Sequence, residues 1–187
     1  EGAVVVMSAE SGVEAGTVKT WGYLDRDRIP RVVCVNKMDK EHADFDKCVE
    51  EAQSQLGAKV APFQIPIGQG ESFKGVVDVL KGKAYVYSGD GKFSETEVPA
   101  DLKGKADEAL QRLVDFAAEA DDSLLEKFLG GEKLSDEELR KGLAAGCVAG
   151  TLVPLFVASA ARNIGVQQLM ESIVAMLPSP AWRTEID

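Results

Sequence analysis

Residues 30–39 read Pro30-Arg31-Val32-Val33-Cys34-Val35-Asn36-Lys37-Met38-Asp39. Proline ends whatever precedes it. Arg31 to Val35 is short, rich in valine and apolar after its first residue, the pattern of a strand buried on both faces. The polar run Asn36-Lys37-Met38-Asp39 then interrupts it. Upstream, Ala3 to Ser8 is a second apolar run of the same kind. It is followed by the polar loop Ser8-Ala9-Glu10-Ser11-Gly12 and a helical stretch from Ala15 to Arg28. Strand, helix and strand in so short a span form a βαβ unit, which makes the two strands parallel and their crossover right-handed.

Downstream, Ala43 to Leu56 places Phe45, Cys48, Val49, Ala52 and Leu56 on one helical face, and Gly57 is a fitting stop. The pattern then changes. Pro62 to Ile67, Gly75 to Leu80, Ala84 to Tyr87 and Glu95 to Val98 read as short strands, with Ser88-Gly89-Asp90-Gly91 as a hairpin turn. Helices are predicted from Ala100 or Asp101 to Ala120, from Ser123 to Leu129, and after the capping-box sequence Ser135-Asp136-Glu137-Glu138. The βαβ pattern returns with a strand over Val153 to Ala158, a loop Ser159-Ala160-Ala161-Arg162-Asn163, and a helix from Gly165 to Leu177. The expected fold is therefore α/β: a parallel sheet with helices on its faces, interrupted by an α+β insert. The expected division is 1–59 with 149–180 for the parallel-sheet part, 60–148 for the insert, and 181–187 as a linker.

Composition narrows the function. The net charge is −10, and the insert alone carries 11 basic and 17 acidic side chains. A broad basic face for nucleic acid is excluded on that balance. No apolar run is long enough to span a bilayer, and no secretory leader is expected. A membrane role is not expected, and a cytoplasmic location is. Cys34, Cys48 and Cys147 lie on apolar stripes without metal-type spacing, so buried thiols are expected.

Two loops follow predicted parallel strands and so emerge at the same sheet edge, where open parallel sheets bind ligands. They are Asn36-Lys37-Met38-Asp39 and Ser159-Ala160. An ionised carboxylate only accepts hydrogen bonds. Guanine offers it two adjacent donors, the ring N1–H and the 2-amino group, so Asp39 suits a bidentate, charge-assisted pair. Adenine has neither donor there and would leave the carboxylate unpaired. The stem of Lys37 can cover the purine face, and Asn36 can bridge neighbouring loops with its amide. The Ala160 N–H can serve the 6-oxo group, and Ser159 can fix its own loop. The plainer alternative is that Asp39 merely caps the following helix.

The stretch Pro30 to Asp39 resembles the fourth guanine-nucleotide motif of translational GTPases, and Ser159-Ala160 resembles the fifth, with Ala161 beside it. Gly75-Val76-Val77-Asp78, Val98-Pro99-Ala100, Ala117-Ala118-Glu119-Ala120, Leu129-Gly130-Gly131-Glu132 and Leu177-Pro178-Ser179-Pro180 are similar to elongation factor G and its extra subdomain. The resemblance spans essentially the whole chain. It implies guanine binding by Asn36, Lys37, Asp39, Ser159, Ala160 and Ala161, with GTP or GDP as the ligand. It also implies a parent that couples GTP hydrolysis to ribosomal translocation. A different expectation is a non-catalytic interaction module whose acidic insert docks the stalk protein of the large ribosomal subunit. Ala158, where the family usually has glycine, and Ala161, where a larger apolar residue is common, also fit a diverged paralogue.

No Gly-x-x-x-x-Gly-Lys-Ser/Thr occurs. Gly91-Lys92-Phe93 and Gly104-Lys105-Ala106 fail at the hydroxyl position. The family's Asp-x-x-Gly motif and switch histidine are absent too, and the lone His42 reads as a solvated loop residue. The resemblance thus implies the back half of a guanine-nucleotide domain, with Mg2+ held only in an intact parent and no GTP hydrolysis by this chain alone. It also leaves the strand Ala3–Met7 at a sheet edge, where self-association is expected.

Overall fold

The computed structural model describes residues 2–57, 60–89, 91–179 and 181. Its parallel sheet contains β1 (Ala3–Ser8), β2 (Arg31–Asn36), β3 (Val60–Pro62) and β8 (Val153–Val157), in the spatial order β1-β2-β8-β3. All three pairings are parallel. The two middle strands are buried as the sequence reading has them, β2 from Arg31 to Val35 and β8 throughout. β1, read there as a buried strand of the same kind, instead lies at an edge and alternates, because one of its faces is left uncovered: Val5 and Met7 are buried, whereas Val4 and Val6 are 39% and 59% exposed.

Helices cover both faces. On one side α1 (Ala15–Arg26) and α2 (Phe45–Gln55) bury Trp21, Phe45, Cys48 and Ala52 against Val33, Val35, Leu155 and Val157. On the other, α5 (Asp136–Ala149) and α6 (Val166–Met176) pack Leu143, Cys147 and Met176 with Val32 and Phe156. Arg31, 7% exposed, pairs with Asp25 at 2.8 Å and stacks over Trp21. That contact ties the end of α1 to the start of β2.

The second sheet is antiparallel, with β4 (Gln64–Ile67), β5 (Gly75–Asp78), β6 (Lys83–Gly89) and β7 (Lys92–Glu97) in chain order. It packs against α3 (Lys103–Glu119), which contacts α4 (Asp122–Leu129) and α5. The expected hairpin joins β6 to β7, although Asp90 of its turn lies outside the described residues. The Ser135 capping box is formed: Ser135 Oγ accepts from Glu138 N–H, and the Glu138 carboxylate accepts from Ser135 N–H at 2.9 Å. Gly150, at φ +73, ends α5 in the left-handed conformation.

One strand differs from the sequence reading, which predicts a single strand of the insert over Pro62 to Ile67. The structure instead splits the segment at Phe63. Val60–Pro62 joins the parallel sheet beside β8, and Gln64–Ile67 begins the antiparallel one. Phe63 serves both sheets, its N–H donating to Leu155 O and its carbonyl accepting from Val79 N–H. A three-residue strand is too short to show a period, and its partner lies far along the chain.

All three cysteines are buried and free. Burial pushes Cys34 up to about 12. Burial, with Glu51 and Asp44 nearby, takes Cys48 to about 11, and burial takes Cys147 to about 11. Among the described residues, no helix is long and apolar enough to cross a membrane.

Candidate nucleotide-base site

β2 and β8 are neighbours and parallel, so the loops that follow them leave the same edge of the sheet. The first loop turns sharply at Lys37, whose φ is +65. Met38 is fully buried and anchors it. Its N–H donates to Ala158 O at 3.2 Å, and its carbonyl accepts from Gly70 N–H at 2.9 Å. The second loop closes on itself, because Ser159 and Ile164 exchange two backbone hydrogen bonds of 3.0 Å.

The loops are joined by two side chains. Ser159 Oγ donates to Asp39 Oδ1 at 2.6 Å and accepts from Arg162 N–H at 3.2 Å. Asn36 Oδ1 accepts from Ala160 N–H at 3.0 Å. The structure therefore brings together Asn36, Asp39, Ser159 and Ala160. Lys37, Ala160 and Ala161 are exposed at the same edge. The Asn36 bridge matches the sequence expectation, but its partner is the very amide reserved there for a 6-oxo group.

Asp39 is the ionisable centre of this arrangement. Its side chain is 10% exposed, and Lys40 Nζ stands 3.9 Å from Oδ2. Burial pushes its pKa upward. The Ser159 hydroxyl, its own backbone amide, and the charges of Lys40 and Arg162 together outweigh that and hold it below the ordinary 3.8. The carboxylate is thus charged at neutral pH and acts only as an acceptor. The alternative of a helix cap does not hold. The cap of α2 is Asp44, whose Oδ1 accepts from Lys47 N–H at 3.0 Å. His42 sits exposed in the intervening turn.

Several residues behind these loops escape a reading of the sequence. Gln69 Oε1 accepts from Phe45 N–H at 2.8 Å, and Tyr87 OH donates to Gln168 Oε1 at 2.5 Å. The only local signal for the first is the glycine-rich turn Gly68-Gln69-Gly70. A cavity of about 240 Å³ opens elsewhere, between α5, α6 and the antiparallel sheet, lined by Phe63, Lys81, Arg140 and Phe156 among others. None of the loop residues lines it, and the candidate base site lies at the carboxyl edge of the parallel sheet, where such sheets bind ligands.

A parallel α/β sheet with two joined loops at its carboxyl edge, one carrying a charged acceptor, defines a nucleotide-binding domain. The sequence matches the family described as the elongation factor Tu GTP binding domain over residues 1–179, and the chain belongs to that family, the G domains of translational GTPases. Guanine-nucleotide binding goes with that membership. A crystal structure of a Thermus thermophilus protein is similar, with a TM-score of 0.90 and 37% identity. The match covers 97% of this chain and 27% of that one, so the chain spans only about a quarter of that protein's length.

Proposed function

We propose that this chain is the guanine-recognition part of an elongation-factor-G-like translation factor. In this reading, the intact parent couples GTP hydrolysis to ribosomal translocation. The observation that carries the base assignment is the 2.6 Å link between Ser159 and Asp39, which holds an ionised carboxylate at the meeting point of the two loops. The donor set fits guanine. Asp39 accepts from N1–H and the 2-amino group, Lys37 covers the ring face, and Ser159 with Asn36 fixes the two loops. A 6-oxo group would compete with Asn36 Oδ1 for the Ala160 amide, and Ala161 would border the base. Phosphate and Mg2+ chemistry needs groups that this sequence lacks.

In this reading the parallel-sheet part comprises 1–62 and 149–180, because residues 60–62 pair with β8, with the insert at 63–148 and the tail at 181–187. The test is to titrate GDP and ADP into the chain and follow the backbone amides by NMR. Guanine-selective shifts at Lys37 to Asp39 and Ser159 to Ala161 are expected. Equal responses to both bases, or none, would overturn the assignment.

A second reading is compatible with the first. Leu129 is 76% exposed at the end of α4, within the acidic insert. Such a side chain suits docking of a protein partner, for which the ribosomal stalk protein is the candidate. Leu129→Ser should then weaken stalk binding. The open edge of β1, with Val4 and Val6 exposed, further supports self-association, which light scattering would reveal as a mass rising with concentration.

A further inference from the structure

Both base-site loops contain a non-glycine residue in the left-handed region, Lys37 at φ +65 and Asn163 at φ +51. Such backbone persists only where its surroundings hold it. The antiparallel half supplies that hold at both loops. At the first, Gly70 N–H donates to Met38 O, and Gln69 Oε1 accepts from the first amide of α2, at Phe45. Ser72 Oγ locks this turn by donating to Gln69 O at 2.7 Å. Gly70 itself sits at φ +62, with Lys40 O 3.4 Å from where a Cβ would be. One turn therefore fixes the segment between Lys37 and Phe45 from behind.

At the second loop the hairpin does the equivalent. Tyr87 OH donates to Gln168, a 2% exposed residue in the first turn of α6, which follows the loop directly. Gly91, at φ +73, lies so close to Asn163 that an added Cβ would overlap its side-chain amide. Val76 Cγ1 comes within 3.4 Å of the Cβ position of Gly165, the residue that closes the loop. The antiparallel sheet packs Ile65, Val77, Val79 and Ala84 with α3, while Val76, Tyr85, Tyr87 and Phe93 join the core of the parallel sheet.

We infer that Gln69, Gly70, Tyr87 and Gly91 are positioning residues for guanine selectivity, so that the antiparallel half sets the geometry in which Asp39 reads the base. This rests on the guanine reading above. A two-point acceptor discriminates only while its spacing to the rest of the site is held. Slack in either loop costs the bidentate bond before it costs the fold.

The experiment uses the full chain with Tyr87→Phe, Gly91→Ala, the double variant Gly91→Ala/Asn163→Gly, and the exposed control Glu126→Gln. Affinities for GDP and for IDP, which lacks the 2-amino group, are measured by NMR titration. Tyr87→Phe and Gly91→Ala should shrink the GDP-over-IDP preference on the order of tenfold. The double variant should restore only part of it, because the overlapping amide is gone while the strain of alanine at φ +73 and the loss of the Asn163 contact remain, and Glu126→Gln should leave it unchanged. Loss of folded protein would weaken both nucleotides together and leave the ratio intact. An unchanged ratio in both single variants, with their GDP affinity also unchanged and Asp39→Asn still abolishing the preference, overturns the inference and spares the guanine reading. Absence of any guanine preference in the unmodified chain defeats that reading instead. Amide exchange at Lys37–Lys40 and Ser159–Ile164, taken without nucleotide, then decides the bracing. Faster exchange at unchanged global stability supports it, and unchanged exchange refutes it.

Discussion

Ser159 Oγ donates to Asp39 Oδ1 at 2.6 Å, across 120 positions of sequence. The bond does two things at once. It closes the sheet edge, and it keeps the carboxylate charged by stabilising its ionised form. In the proposed reading, loop closure and base recognition share the Asp39 carboxylate.

Asp39→Asn should reverse the chemistry of the edge. An amide presents one donor and one acceptor in place of two acceptors. GDP affinity should fall on the order of a hundredfold. A xanthine nucleotide, whose 2-oxo group needs a donor, should gain. Isothermal titration with both nucleotides measures this. Unchanged GDP binding would remove Asp39 from the site.

Ser159→Ala should move the Asp39 pKa up toward the ordinary 3.8, because a donor to the charged form is lost while burial remains. In the unmodified protein the folded value is depressed. The stability this group contributes is therefore present above 3.8 and is lost as pH falls through the lower folded value. Side-chain carboxyl NMR should show the titration shift to higher pH in the variant, and acid unfolding should begin earlier. A titration that does not move would show that the hydroxyl is not what holds Asp39 low.

Gly142→Ala sets two effects against each other. Alanine gains about 1 kcal/mol of helix propensity over glycine. An added Cβ, however, would stand 2.7 Å from the Ala117 carbonyl of α3, and backbone cannot swing aside. Overpacking of this kind costs about 1–3 kcal/mol or more. Net destabilisation is expected, read as a lower urea midpoint with an unchanged slope. A raised midpoint would mean that the two helices separate easily.

The cysteines should be silent in the folded protein. With Cys34 near 12 and Cys48 and Cys147 near 11, thiolate is scarce at pH 8, and each sulfur is buried as well. A thiol-reactive chromogen should label three sites in denaturant and none rapidly without it. Fast labelling of a native cysteine would locate a local opening.

Much of this is legible in residues 31–39. A valine-rich run bounded by proline and Asn-Lys-Met-Asp announces a buried strand and a polar tip, and both are present. The long apolar stripe of α2 is equally clear because its period is local, whereas α6 misleads: Met170 and Val174 are 62% and 85% exposed while Gln168 is buried. What escapes reading depends on distant partners. The strand Val60–Pro62 takes its identity from β8. Asp39 is a plausible cap on paper, and only the fold assigns that role to Asp44, which the sequence reading places inside the helix. The engagement of the Ala160 amide by Asn36, and of Tyr87 by Gln168, comes from tertiary approach that no local pattern encodes.

The strand order β1-β2-β8-β3 has a consequence for biosynthesis. A ribosome delivers β1 and β2 early, and they can pair as soon as they emerge. The slot beside β2 must then stay vacant while the antiparallel sheet, α3, α4 and α5 are made. β3 leaves the tunnel long before the neighbour that will hold it. Closure of such non-local pairings is slow, and unpaired strand edges are the sticky species of folding. A nascent chain stalled between Pro62 and Val153 would present an unfilled gap at the centre of its sheet, making that interval the one in which a chaperone matters most.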